Sequence, residues 1–516
     1  MRLVLSNPGN CNSCWESESN LAPLDCYSCR WFLVILKYLL RGVGMRIDVA
    51  RRMRNGRAAM GSFLATGFLL LFVASCTQSS FAIPAFARKY GLPCSSCHES
   101  WPKLSPFGQA FKDNGYQLMN ERDAPVWQQP AYWPATFRMT PIWHRESQNR
   151  TNVDGSAGPM TAEAQVTTNG FDLSGLDFHT AGTLAKNYSF YLLPSSDPTG
   201  AFHFESVWAR VDNIMGSSWL NIKMGKFELD NLLSEKRILT LTNVSGVYTN
   251  YHFQPLISPG SGVNTPGAIA AAAESLYRFG IGDNQLGLEW MGHSKDDRTR
   301  ISAALISSQD GTVLLPNGRS YGLNVAASQA FALGNLGLQR VGGFAYVGEQ
   351  PTYMQYTQGG VGVPGTGIGN KSIYRTGLIG MWYLKKYNLT TIFFHSGDSA
   401  YLGSNTPSNT TLPTGARAPT WNGGLFESNY VANPHLVLIQ RYELVRMTRQ
   451  VFASNPSNLG NMDVLTYGFR YYPFLSSRAG FAFHGEYANE RQIGAAPVSG
   501  LNLSTSSLLG GFDFDF

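Results

Sequence analysis

The chain stops on an alternating run: Phe512, Phe514 and Phe516 are spaced by Asp513 and Asp515. Successive side chains of a strand point to opposite faces, so this run puts rings on one face and carboxylates on the other. The same period recurs upstream. Leu465, Tyr467, Phe469 and Tyr471 oppose Thr466, Gly468 and Arg470. Phe481, Phe483 and Tyr487 oppose Gly480, Ala482, His484 and Glu486. Leu286, Leu288 and Trp290 oppose Gln285, Gly287, Glu289 and His293, and Leu220, Ile222 and Met224 oppose Asn221, Lys223 and Gly225. Residues 131–516 therefore read as strands and turns, with Ala268 to Tyr277 the one helix-like patch.

A soluble sandwich alternates in the same way, so the period alone does not place the sheet. Composition separates the two readings. Charged residues make up 14% of the chain, against roughly 25% in soluble domains. Beyond residue 100 no stretch approaches the roughly 18 apolar residues of a membrane helix, so a membrane location has to come from strands. The apolar faces are rich in Phe, Tyr and Trp, like the aromatic girdles of outer-membrane barrels. The terminal aromatic run resembles the signal read by the barrel-insertion machinery. In lipid every backbone polar group must be paired, so such a sheet must close. The expectation is an all-β fold: a transmembrane antiparallel β-barrel in the cell outer membrane. At roughly 22–26 residues per strand and loop it has about 16 strands, with 14 or 18 also compatible. Ser258 to Pro266, Thr357 to Lys371 and Ser404 to Gly424, rich in Gly, Pro, Asn and Thr, are expected as extracellular loops.

The N-terminal part carries an export signal that does not start at Met1. A basic run (Arg46, Arg51, Arg52, Arg54, Arg57) precedes the apolar Gly61 to Ala74, and Ser80-Phe81-Ala82 forms a small-residue cleavage site. That order is a secretory signal peptide over 45–82, with Ile83 as the mature start. A membrane anchor, a lipoprotein cut at Cys76 and a twin-arginine signal at Arg51-Arg52 are weaker readings of the same stretch. Residues 1–44 hold Cys11-x-x-Cys14 and Cys26-x-x-Cys29 with no accompanying His, and read as an upstream extension rather than a zinc site. Residues 1–82 carry nine Lys and Arg against four Asp and Glu; without them 31 face 30, and nothing points to nucleic acid.

Residues 83–130 form a short helical segment containing Cys94-Ser95-Ser96-Cys97-His98, the C-x-x-C-H sequence of c-type haem attachment. The spacing follows the chemistry: two thiols add to the haem vinyl groups and the adjacent imidazole reaches the iron. A disulfide, a zinc knuckle and chance compete. Cleavage after Ala82 removes five of the seven cysteines and leaves only Cys94 and Cys97, which favours one haem c. Phe107 and Phe111, four apart, are expected on one helix face against the porphyrin, with a stop at Asn114-Gly115-Tyr116. A segment this short cannot bury a haem alone, so the remainder of the chain is expected to cover it.

Pro84-Ala85-Phe86-Ala87-Arg88, the Cys94–His98 motif, Pro102-Lys103-Leu104, Phe107-Gly108 and Phe111 with Asn114-Gly115-Tyr116 resemble the fused monohaem cytochrome–porin family of iron-oxidising bacteria. The barrel matches that family only in kind. The resemblance implies oxidation of extracellular Fe(II), with electrons passed to a periplasmic cytochrome or copper protein and outer-membrane lipid around the barrel. Only Cys94, Cys97 and His98 carry over as functional residues. Two other readings stay open: a porin whose haem plug senses or gates, and a conduit exporting electrons to extracellular acceptors. A high-potential acceptor for Fe(II) favours Met opposite His98. Met119, just past the Asn114-Gly115-Tyr116 turn, is the candidate second axial ligand, against the plain alternative of hydrophobic filler. His144, His293 and His484 are its rivals.

Overall fold

Each strand pairs antiparallel with its neighbour in sequence, and the last returns to the first. A computed structural model describes residues 85–100, 103–118, 123–128, 133–152, 163–196, 201–229, 284–307, 321–351, 356–358, 361–363, 370–397, 417–449, 461–475, 480–493 and 502–515. These belong to one unit, Phe81–Phe516. The expected extension 1–44, the signal peptide 45–82 with Cys76, the patch 268–277, Ser258 to Pro266, Met119 and Phe516 lie outside the described residues.

The barrel strands are β1 (Ala135–Asn152), β2 (Glu163–Ala185), β3 (Tyr188–Ser196), β4 (Phe202–Val211), β5 (Asn221–Glu228), β6 (Asn284–His293), β7 (Thr299–Ser307) and β8 (Tyr321–Ala332). They continue with β9 (Leu338–Pro351), β10 (Asn370–Leu384), β11 (Tyr387–Gly397), β12 (Thr420–Asn433), β13 (Leu436–Arg449), β14 (Asn461–Leu475), β15 (Gly480–Ile493) and β16 (Asn502–Asp515). All sixteen form a closed barrel, the middle of the expected range. β16 pairs with β1, with Leu509 opposite His144 and Phe514 opposite Met139. Closure leaves no edge, which is what a sheet in hydrocarbon requires. Two expected loops are shorter than the composition suggested. β12 already includes Thr420 to Gly424, and the 357–371 stretch contains a small ribbon, 356–358 against 361–363.

The alternation decides which side chains meet lipid. On β14, Phe469 and Tyr471 are 42% and 44% exposed, while Arg470 is 1% exposed in the lumen. Met224, Leu288, Phe483 and Tyr487 also face outward, and Lys223, Glu289, His484 and Glu486 face inward. Outer-face rings pair across strands, as Tyr387 does with Tyr430 at 4.7 Å. An apolar exterior around a polar lumen is the inverse of a soluble barrel and places this one in the outer membrane. No helix among the described residues is long and apolar enough to cross a membrane.

The two rims differ. Most connections at the rim holding Ala135 and Asp515 are short, such as 186–187, 294–298, 385–386 and 434–435, with 212–220 the longer exception. At the other rim most are long, such as 153–162, 229–283, 308–320 and 398–419, with 197–201 the shorter exception. In outer-membrane barrels the short-turn rim faces the periplasm.

Candidate functional site at the short-turn end of the lumen

The residues before β1 form a plug inside the barrel. It contains helix α1 (Ala85–Tyr90), the helical turn α2 (Cys94–Cys97) and helix α3 (Pro106–Asp113). A ribbon pairs His98 with Leu104 between α2 and α3. Helix α3 starts where its sequence dictates: Pro106 occupies the first turn and the Ser105 hydroxyl accepts from Gly108 N at 3.1 Å. The same hydroxyl donates to the Ser96 carbonyl at 2.9 Å, and Ser105 N donates to the Cys97 carbonyl at 2.8 Å. One serine thus caps the helix and fastens it to the cysteine turn. At the other end Tyr116 N returns to the Phe111 carbonyl at 2.9 Å through Gly115, which has φ +77°. Tyr116 itself has φ 60°, uncommon for a bulky residue, and its ring is turned into the lumen.

The plug meets the wall through aromatic rings. Phe86 stacks on Tyr116 at 4.9 Å, and Tyr116 lies 6.2 Å from Tyr191 and 6.0 Å from Trp208, near parallel to both. Phe111 closes the group edge-on to Phe86 and Tyr90, at 4.9 and 5.3 Å. Phe107, expected beside Phe111, is instead 45% exposed. In the first turn of α3 it points away, and Gly108 takes the place against the cysteine turn.

Polar clamps fix the C-terminal end of α3. Arg210 on β4 donates to the Lys112 carbonyl at 3.2 Å, a cation placed on a helix C-terminus. The Lys112 ammonium meets Glu228 at 3.2 Å, and Arg300 meets Asp113 at 3.1 Å. Further on, Val126 N donates to the Thr183 carbonyl and Trp127 Nε1 to the Leu184 carbonyl. The Tyr90 hydroxyl lies 2.7 Å from Asp123 Oδ1 and 2.9 Å from the Tyr116 carbonyl. Burial, and then Asp123, hold this phenol well above its ordinary pKa. Burial does the same to Tyr116.

Between plug and wall lies a cavity of about 380 Å³. Its plug side includes Cys97, His98, Leu104, Gly108 and Phe111; its wall side includes Arg138, His179, Tyr191, Trp208 and Met291. All the wall positions sit toward the short-turn ends of their strands. Cys97 is a free, partly buried thiol whose pKa burial raises. Cys94 opens the same turn. Pockets of 300–1,000 Å³ take ligands of cofactor size. A thiol beside an imidazole and apolar, aromatic walls are groups a c-type haem uses; the cavity also carries Arg138 and Arg210 among the carboxylates Asp113, Asp177, Glu205, Glu228 and Asp515. Cys94, Cys97 and His98 could hold it. Among the described residues no cluster of three or more His, Cys, Asp or Glu is placed to bind a bare metal ion.

The rival ligands from the sequence do not reach this cavity. His484 lies 3.4 Å from Asp513 and His293 bonds the Ser294 carbonyl at 3.0 Å; neither these nor His144 line it. His179 does, although no motif in the sequence marks it. Its signal was the alternation of Asp177 and His179 around the outward Phe178, readable only once β2 is known to line the lumen.

No protein-family model and no curated protein matches the chain. Solved structures resemble it in fold. An anion-selective porin from Comamonas acidovorans matches at 11% identity, covering 74% of this chain and 100% of its own, with TM-score 0.43. OmpT, an outer membrane protein of Vibrio cholerae, matches at 11% identity over 74% and 97%, with TM-score 0.41. The outer membrane channel DcaP of Acinetobacter baumannii matches at 10% identity over the same shares, with TM-score 0.41.

Proposed function

We propose that this chain is a monohaem c-type cytochrome built into the mouth of an outer-membrane barrel, a haem-plugged porin that carries electrons. The observation behind this reading is that Cys97 and His98 of the C-x-x-C-H sequence line a cavity whose far wall is the barrel itself. When bound, haem c supplies a one-electron Fe(III)/Fe(II) couple. Cys94 and Cys97 would anchor it through thioethers, and His98 would present an imidazole to the iron. Phe86, Phe111, Tyr116 and Trp208 exclude water from the lumen side. The site's place near the short-turn rim puts it within reach of a carrier docking from the periplasm.

The resemblance to the cytochrome–porins implies that extracellular Fe(II) would give up the electron and a periplasmic cytochrome or copper protein would take it; export to extracellular acceptors is the same path run in reverse. This arrangement suits the chemistry, because Fe(III) precipitates at near-neutral pH and is better formed outside. The closed, polar-lined barrel favours a second reading, in which the plug gates a diffusion pore.

Expression in a host with working c-type maturation tests the first reading. Mass spectrometry of the mature chain should show one haem increment, lost in Cys97→Ser. Fe(II) at acidic pH should then reduce the purified protein. Covalent haem with no reduction by Fe(II), together with open-channel conductance in planar bilayers, would favour the pore.

A further inference from the structure

We propose that His179, on the barrel wall, is the second axial ligand to the haem iron, opposite His98. The inference rests on the haem reading above and deepens it: the iron would be held from the plug on one side and from β2 on the other.

Several other lysine, tyrosine and methionine side chains line the cavity, and each is poorly placed to hold iron. Lys112 and Lys223 are engaged with Glu228 and Glu289, and a paired ammonium has no lone pair to offer. Tyr90 and Tyr116 are held as neutral phenols by burial, and a neutral phenol is a poor ligand. Met291 is the thioether in the wall. Its sulfur accepts from Arg210 Nη1 at 3.8 Å, and that guanidinium is fastened in turn to Asp212 and to the Lys112 carbonyl. An iron centre there would sit beside a fixed cation.

His179 is arranged differently. Its Nδ1 lies 3.0 Å from the Tyr191 hydroxyl. Its Nε2 lies 3.8 Å from Asp177 Oδ2, longer than a hydrogen bond. With Nδ1–H donating to Tyr191, the Nε2 lone pair is available to a metal. Ligating histidines are arranged in this way, with the second ring nitrogen oriented by a neighbouring oxygen. Asp177 Oδ1 is held by the Ser195 hydroxyl, which leaves Oδ2 as the carboxylate oxygen beside the ring. The residue belongs to a paired strand, with Thr136 opposite it on β1, so its backbone is rigid. Its side chain is 29% exposed, open to the space that His98 also lines.

The test uses purified full-length protein. Mass spectrometry first establishes covalent haem; its absence in the natural chain overturns the haem reading and this inference together. With haem present, the oxidised protein should be low-spin with two nitrogen ligands and should lack the far-red band of a sulfur–iron bond. His179→Ala should keep the haem mass but become high-spin, with free imidazole restoring the low-spin spectrum. His179→Met should stay low-spin, gain the far-red band and shift to higher potential. Met119→Ala and Met291→Ala should leave the spectrum unchanged. A far-red sulfur–iron band in the natural protein overturns the assignment whether or not any variant folds. So does an unchanged spectrum in a His179→Ala barrel that retains heat-dependent gel mobility.

Discussion

Gly108 sits so close to Cys97 that a β-carbon at residue 108 would fall 2.1 Å from the Cys97 carbonyl oxygen. The contact is with backbone, so no side-chain rotation can relieve it. It joins helix α3 to the cysteine turn and explains physically why a glycine follows Phe107.

Gly108→Ala should therefore push α3 off the turn. On the proposed haem reading the thiols would react before the plug folds, so covalent haem should be retained. The plug should lose about 1–3 kcal/mol, the usual cost of overpacking. Faster proteolysis within residues 85–128 and an altered haem spectrum are the expected readouts. Native protection and an unchanged spectrum would show that the turn can move freely.

The plug should weaken in alkali. Tyr90 and Tyr116 keep phenolic protons in the folded chain that the unfolded chain releases near pH 10. The folded state then binds more protons, so stability is fully present below about pH 10 and falls as pH rises above it. Tyr90→Phe removes one of these protons and also the hydroxyl that meets Asp123 and the Tyr116 carbonyl. It should start about 1–3 kcal/mol lower at neutral pH and decline less steeply in alkali. Protease protection measured against pH checks both parts. Parallel curves for the two proteins would remove Tyr90 from the account.

Closure of the barrel should depend on Asp513. Its carboxylate receives Arg470 Nη1 at 2.5 Å and the Thr140 hydroxyl at 2.9 Å, with Arg138 at 3.6 Å. It therefore ties β16 to β14 and, across the seam, to β1. Asp513→Asn keeps the volume and removes the charge. Breaking a buried pair from one side costs about 3–5 kcal/mol. The variant should unfold at lower urea and lose heat-dependent gel mobility at lower temperature. Asp515→Asn serves as a neighbouring control. Unchanged urea resistance in Asp513→Asn would mean that the seam is held by its backbone ladder alone.

The amino-acid sequence by itself was enough for the barrel. Alternation such as Thr466–Tyr471 is a local property, since successive side chains of a strand face opposite ways whatever the partner strand is. Once lipid is the solvent, closure and the approximate strand number follow from backbone pairing and chain length. The C-x-x-C-H sequence of Cys94, Cys97 and His98, on which the proposed haem site rests, is local for the same reason, because its spacing is fixed by adjacency. What lies opposite His98 was not legible. The sequence nearby offered Met119, and more distant strands offered His144, His293 and His484. Only the tertiary structure brings His179 and Met291 to the cavity and holds His293 and His484 elsewhere. That choice depends on where the plug seats in the lumen. Its seating is decided by contacts such as Tyr116 on Trp208 and Arg210 on the end of α3, which join residues far apart in the chain and leave no periodic trace in it.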